Sequence, residues 1–481
     1  MKIKVRKVYW GILLASIALR WILIAQGGLF FNPDEYRYNR AILLLHHLKS
    51  GELTEAGSLF FKYADHSGFM LVGALPAAVQ GILDTMGNPP EETMPVAAML
   101  LSLFSVANLA LVYAIARRTG RSQKESLLAM FLMACACTMY RYSRHLLPYD
   151  ISIFFALASI LLLHGRRTFS RMGACGLCGF MVFMTYNAFW TLAALMMLYA
   201  VIEVFNACRK ESAGLEWRAC TCWVSGLLFG FFLLPLLQMI MGQLMGYSYL
   251  QSLTNFSETI TQGTWGEGWW IGWAYLWHSE GINLCVWGLG IAWLLAQKNK
   301  RSTIHWMALV LVMFTLLVVG SVGIQKFVVY GRSMRQMIPF VCLLAAAGLI
   351  RHPRLLPAIL MVVVLQTAWS FVSVARQHFP GDVLAKIQSD YEDLSVGLAV
   401  TGPELHVDDT LLGPSRYVLI NHRVLTPVTG TNAVPDGTVI FSHSHPFQSK
   451  LYQYNGLNAD ERRIIDSSDQ SIRLIDTRPS S

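Results

Sequence analysis

F-M-L-V-G-A-L-P-A-A-V-Q-G-I-L, residues 69–83, is the stretch on which the topology of this chain turns. It is moderately apolar, and either crosses a membrane or lies along one face of it. Cationic loops stay in the cytoplasm. Four of them do so together if the N-terminus is inside and residues 69–83 do not cross: Arg117, Arg118, Arg121 and Lys124; Arg166, Arg167 and Arg171; Arg209, Lys210 and Arg218; Lys298, Lys300 and Arg301. Arg351 and Arg354 make a fifth. Counting residues 69–83 as a span would put all of them outside, so the stretch is read as a juxtamembrane or re-entrant helix.

The membrane itself follows from composition. The chain has 481 residues, 54% hydrophobic and 14% charged, against roughly 25% charged in ordinary soluble domains. Apolar runs extend from Val8 to Ile24, Pro95 to Ala116, Leu127 to Tyr140, Ile151 to Leu163, Gly173 to Tyr186, Thr191 to Val204, Trp223 to Met241, Ile282 to Ala296, Ile304 to Gly320, Met337 to Ile350 and Leu355 to Val374. They predict about eleven transmembrane helices, several near the ~20 residues a span needs. The first run follows Lys2, Lys4, Arg6 and Lys7 like a signal sequence, but no clean small-x-small cleavage site follows, so it is read as a retained helix. The net charge of +9 belongs first to orientation, and membrane lipids rather than nucleic acid are the expected surroundings. All 9 cysteines fall at or before Cys342. No disulfide framework is implied, and Cys175/Cys178 and Cys220/Cys222 read as free thiols rather than a zinc site.

The outer face then holds residues 29–94, 141–150, 242–281, 321–336 and everything after about Arg376. Ser321 to Gln336 breaks the charge rule by placing Lys326, Arg332 and Arg335 outside, which suggests a specific anionic partner; solvated cations or lipid head groups are the plainer explanation. Residues 376–481 change character, with more Asp, Pro, Gly and Ser. They are expected to form a small extracytoplasmic α/β domain, with a helix from Asp382 to Leu394 and strands near 395–400, 416–420 and 439–441. His443 and His445 read as a surface turn before a metal site. The fold class expected is an all-α polytopic membrane domain, residues 1–375, with outer juxtamembrane helices and this appended domain.

Directly after the first helix comes Phe31-Asn32-Pro33-Asp34-Glu35-Tyr36-Arg37-Tyr38, with two adjacent carboxylates at the outer boundary. Partial burial would suit such a carboxylate to take a proton from a hydroxyl. A plain helix start, with Asn32 as cap and Pro33 in the first turn, explains the same residues. The second outer loop, Tyr140-Arg141-Tyr142-Ser143-Arg144-His145-Leu146-Leu147-Pro148-Tyr149-Asp150, ends on an acid at a helix start, again compatible with capping.

Together with G-R-S-M-R-Q-M-I-P-F, residues 331–340, these motifs resemble the GT-C superfamily of polyprenyl-phosphate-dependent glycosyltransferases. The likeness is to bacterial members of the protein O-mannosyltransferase and aminoarabinose transferase type. The P-D-E is similar to the H-P-D-E of eukaryotic mannosyltransferases, with Asn32 in place of the His. The resemblance covers roughly residues 8–375 and implies a GT-C-like fold with juxtamembrane helices between the first two spans. It implies that Asp34, with Glu35 beside it, acts at the acceptor, that Asp150 is a second acidic position, and that Arg332 and Arg335, with Lys326, hold the lipid phosphate. Tyr36, Arg37, Arg144 and His145, in the same motifs, are candidate substrate contacts. It further implies single displacement with inversion, moving a sugar from a polyprenyl-phosphate donor to a glycan, lipid or protein acceptor at the outer face of a bacterial inner membrane. No nucleotide site is needed, and a divalent metal is a possible cofactor, since adjacent acids can bind one or work without it.

Trp265, Trp269, Trp273 and Trp277 recur every four residues, with Trp270 beside them. They read as an interfacial aromatic face, and Trp269 and Trp270 also as sugar-stacking candidates; Glu267, His278 and Glu280 are candidate substrate or metal contacts. Two other classes compete: a lipid-linked-sugar transporter or flippase, and a noncatalytic polyprenyl-lipid-binding scaffold. A transporter predicts mid-bilayer ionisable groups and interrupted helices, and neither is expected from the sequence.

Overall fold

Backbone polar groups in lipid have to be satisfied within the chain, and helices do this. In the computed structural model every apolar run becomes helical. The structure describes residues 2–26, 36–88, 90–211, 217–262, 276–277, 279–297, 304–323 and 331–375 and six short strands beyond them. The helices are α1 Lys2–Ala25, α2 Tyr36–Lys49, α3 Leu53–Lys62, α4 Ser67–Thr85, α5 Pro90–Arg118, α6 Gln123–Ala134, α7 Cys137–Arg141, α8 Tyr149–Leu163, α9 Phe169–Thr185, α10 Trp190–Glu211, α11 Trp217–Leu244, α12 Tyr249–Gln262, α13 Ile282–Leu295, α14 Ile304–Gly323, α15 Ile338–Leu349 and α16 Leu356–Ala375. Six described segments are long and apolar enough to cross a membrane, and five shorter apolar helices of 10–17 residues accompany them.

Side-chain contacts define the two ends of the bundle. Asn108 of α5 donates to the Asp150 carbonyl at the start of α8, and Ser152 donates to Val182 near the end of α9. At the other end Arg121 pairs with Glu125, and Arg351 lies close enough to act on the same carboxylate. This second end collects the arginine-rich turns around 117–121, 166–171 and 351–354. Ser122 caps α6 by accepting from the Glu125 amide at 3.1 Å, and Thr168 caps α9 in the same way.

Residues 64–85 qualify as a span by length and composition. Position decides otherwise. Gly68 packs on the backbone of Met184 and Thr185 at the end of α9, and Asp84 accepts from Thr93 in the first turns of α5 at 2.6 Å. Both contacts lie at the Asp150 end, so α4 starts and finishes on one side. It is held there by α2, whose Tyr38 donates to Gln80 at 2.9 Å. This is the juxtamembrane arrangement expected from the charge of the loops.

Two expectations need correction. The run 127–140 is broken at Cys135–Ala136 into α6 and α7, so an interrupted helix is present after all. The Cys135 carbonyl accepts from Thr367 and Asn283 instead of continuing the helix. Free thiols throughout were expected, yet Cys208 and Cys220 form a disulfide with Cα atoms 5.7 Å apart. It ties the end of α10 to the start of α11.

Close helix packing depends on glycine. Gly230 of α11 faces the Gly173 backbone of α9, Gly176 faces the Leu227 carbonyl, and Gly348 of α15 faces Gly290 of α13. Without a hydrophobic drive between helices in lipid, such close approach supplies the packing energy. Gly230→Val is therefore expected to destabilise by about 1–3 kcal/mol. Gly288→Ala, where a Cβ meets nothing within 4 Å, should have little effect, and thermal unfolding in detergent checks both.

Beyond 375, strands β1 His406–Asp408, β4 Thr426–Val428, β5 Val439–His443 and β6 Ile472–Asp476 form one sheet in the order β4-β1-β5-β6, and β2 Leu419–Ile420 pairs with β3 Arg423–Val424. Strand β5 covers the stretch expected near 439–441. The expected helix 382–394 and strand 395–400 lie outside the described residues.

Candidate functional site

The loop 141–150 is a buried plug rather than an exposed connection. Arg141, Arg144, His145 and Asp150 are all less than 9% exposed. It is positioned from below by Glu280, whose carboxylate accepts the Cys137 and Thr138 amides at 2.9 and 2.7 Å. Glu280, weighed as a substrate or metal contact, thus caps the first turn of α7 with both oxygens. That is why the helix can restart inside the bundle.

At the end of the plug Asp150 meets Arg335, carried on the turn 331–337 that leads into α15. Arg335 Nη2 donates to Asp150 Oδ1 at 2.6 Å and to the Met139 carbonyl at 3.0 Å. The same carbonyl accepts from Ser105 at 3.4 Å, and Ser105 accepts from Arg20 Nη2 at 2.8 Å. Arg20 and Arg335 are fully buried. Tyr142 and Tyr149 flank the Arg335 guanidinium, with ring centres 5.3 and 5.8 Å from Cζ. Its Nε and Nη1 are buried and find no hydrogen-bond partner among the described residues.

An aromatic strip leads from this pair to the start of α2. Tyr149 packs on Tyr186 at 4.7 Å, and Arg37 lies over the Tyr186 ring at 5.1 Å. Beyond Arg37 sits Asp65, which has His66 Nδ1 3.0 Å away and accepts from Asn187 at 2.8 Å. Burial pushes the Asp65 carboxyl up, but His66, Arg37 and Arg40 outweigh it and hold the group below its usual range. Burial, reinforced by Arg37, lowers the His66 imidazole against the opposing pull of Asp65.

Both shifts are downward, so both stabilising contributions are present above the ordinary values and fade as pH falls. His66 goes first, below its ordinary 6.5. Hydrogen exchange in α2 and α3 is expected to quicken, beyond the intrinsic pH effect, as pH falls below 6.5. His66→Gln should remove most of that change.

The structure therefore joins Asp150, Arg335 and Arg37. Arg144 donates to the Val374 carbonyl at 3.2 Å. The backbone of Tyr36 and Arg332 is placed in α2 and in the 331–337 turn, but their side chains lie outside the description. Asp34, Glu35, Lys326, Trp269 and Trp270 lie outside the described residues, as do Trp265, Glu267, Trp273 and His278. Trp277 is 52% exposed. Arg20, Asp65, His66, Tyr186 and Asn187 were missed from sequence. An acid and a histidine side by side just before residues 69–83 were the available signal.

No protein-family model matches the chain, and no curated protein matches it. Among solved structures it is similar to the crystal structure of ArnT from Cupriavidus metallidurans bound to undecaprenyl phosphate, with a TM-score of 0.50 over 84% of this chain and 75% of that chain. Sequence identity is 12%, so the likeness is one of fold. With its apolar helices and this neighbour, the chain is an integral membrane protein with an ArnT-like fold.

Proposed function

We propose that the protein is an inverting glycosyltransferase that moves a sugar from a polyprenyl-phosphate donor to an acceptor hydroxyl on the extracytoplasmic side of a bacterial inner membrane. The observation that carries the proposal is the buried Arg335 guanidinium, anchored through Nη2 on Asp150 while Nε and Nη1 find no partner among the described residues. Buried donors of a cation call for an anion. The ArnT-like fold supports a lipid phosphate as that anion.

In this reading Asp34 takes the proton of the acceptor hydroxyl, with Glu35 beside it. The acceptor oxygen then attacks the anomeric carbon as the bond to the phosphate oxygen breaks, and the electron pair leaves with the polyprenyl phosphate. Arg335, with Arg332 and Lys326 from the same segment, meets the growing negative charge. Asp150 keeps Arg335 in place rather than taking a proton. Arg37, Tyr36, Arg144, His145, Trp269 and Trp270 are the proposed contacts for sugar and acceptor.

The transporter reading gains one observation, the helix interrupted at Cys135–Ala136 beside buried Glu280. The two readings part on what happens to the donor. Purified protein in lipid discs, given a panel of polyprenyl-phosphate sugars with candidate acceptors, is expected to release polyprenyl phosphate from one donor and label an acceptor. A donor that is bound or moved but never cleaved would decide for a transporter or scaffold.

A further inference from the structure

Helix α6, with 12 residues, is about 18 Å long and cannot by itself cross a hydrocarbon core of ~30 Å. Between it, α1 and α16 the bundle leaves an apolar groove of about 600 Å³. Small residues of α1 open it: Gly11, Ala15 and Ser16 line one wall, and a Cβ on Gly11 would meet nothing within 4 Å. Leu127, Phe131 and Leu360 line the opposite walls.

The groove runs along α1 from Val8 to Leu19, about 16 Å by helical rise. That is about half of the hydrocarbon thickness, or one leaflet. Among the described residues, the one charged side chain in its lining is Lys124, at the arginine-rich end of α6. Arg6, Lys7, Arg351 and Arg354, all exposed, stand in the segments next to the lining residues Val8, Ile350 and Leu356. Glu125, next to Lys124 in α6, is engaged by Arg121 at 3.5 Å. The groove ends at Cys135 and Thr367, below Glu280, with no cation among the described residues of its lining there.

We propose that this groove is a binding site for one anionic phospholipid of the leaflet on the arginine-rich side, an acyl chain lying along Gly11 and Ala15 and the phosphate head group at Lys124. An apolar trough one leaflet deep with cations at one rim matches a lipid with its charge at that rim. A polyprenyl donor held at Arg335 would enter from the other end, where the groove has no charge to meet it.

The test is native mass spectrometry of the full chain in detergent, offered phosphatidylglycerol, phosphatidylethanolamine of the same chains, and polyprenyl phosphate. Wild type is expected to retain one phosphatidylglycerol in preference to phosphatidylethanolamine. Lys124→Ala should weaken retention about fivefold, as loss of one cation at a membrane surface does. Gly11→Phe should abolish it by filling the trough, with thermal stability preserved; Ala15→Leu is the second filler should Gly11→Phe fail to fold. Equal retention of both phospholipids, or undiminished retention in the filled variants, overturns the proposal. So does polyprenyl phosphate binding that displaces phosphatidylglycerol and is itself lost on filling, which would assign the groove to the prenyl chain.

Discussion

Arg335→Ala is expected to lower stability by about 3–5 kcal/mol, because removing one partner of a buried ion pair strands the other charge. Asp150 is 5% exposed, and Arg335 is its ion-pair partner at 2.6 Å. The Met139 carbonyl loses a donor at the same time. Adding Asp150→Asn to Arg335→Ala should recover a large part of the loss, since the stranded carboxylate is gone. Arg335→Lys keeps the charge but not a planar fork able to serve a carboxylate and an anion together. Thermal unfolding of Arg335→Ala, Asp150→Asn and the double variant gives the coupling, and equal stability of Arg335→Ala and wild type would contradict the pairing. In the proposed reaction the Arg335→Lys variant, if folded, should lose about 10²–10³ in kcat, the usual effect of removing a donor to developing negative charge.

The second large effect belongs to Asp34. If it takes the acceptor proton, Asp34→Asn should slow transfer by about 10²–10⁴, the usual contribution of a general base. Stability and retention of polyprenyl phosphate should stay near wild type, because the substitution removes a proton acceptor and leaves the phosphate contacts alone. Initial rates at saturating donor, beside binding of polyprenyl phosphate, separate the two. Wild-type turnover by Asp34→Asn would remove it from the chemistry, and loss of binding would make it a donor contact.

Much of the membrane architecture was legible because one physical signal, apolar length, dominates in lipid, and because the arginines at 117–121, 166–167 and 351–354 constrain residues 69–83. The site was legible only in part. Asp150 stood out as an acid at a helix start, but its partner lies 185 residues away in sequence, and nothing local to either residue announces the pair. Arg20 is a single cation in an apolar run, and its meaning comes from Ser105, a residue with no distinguishing neighbours. The break at Cys135–Ala136 has no proline or glycine to mark it. It depends on Glu280, 142 residues from Thr138, supplying the hydrogen bonds that a helix restart requires. The disulfide between Cys208 and Cys220 likewise joins the end of α10 to the start of α11, a pairing that no local motif marks.

The most direct measurement of the central claim is an experimental structure of the protein with polyprenyl phosphate bound. A phosphate oxygen within hydrogen-bonding distance of Arg335 Nε or Nη1, with Nη2 still on Asp150, is the predicted result. A phosphate bound elsewhere while Arg335 stays enclosed by Tyr142 and Tyr149 would contradict it.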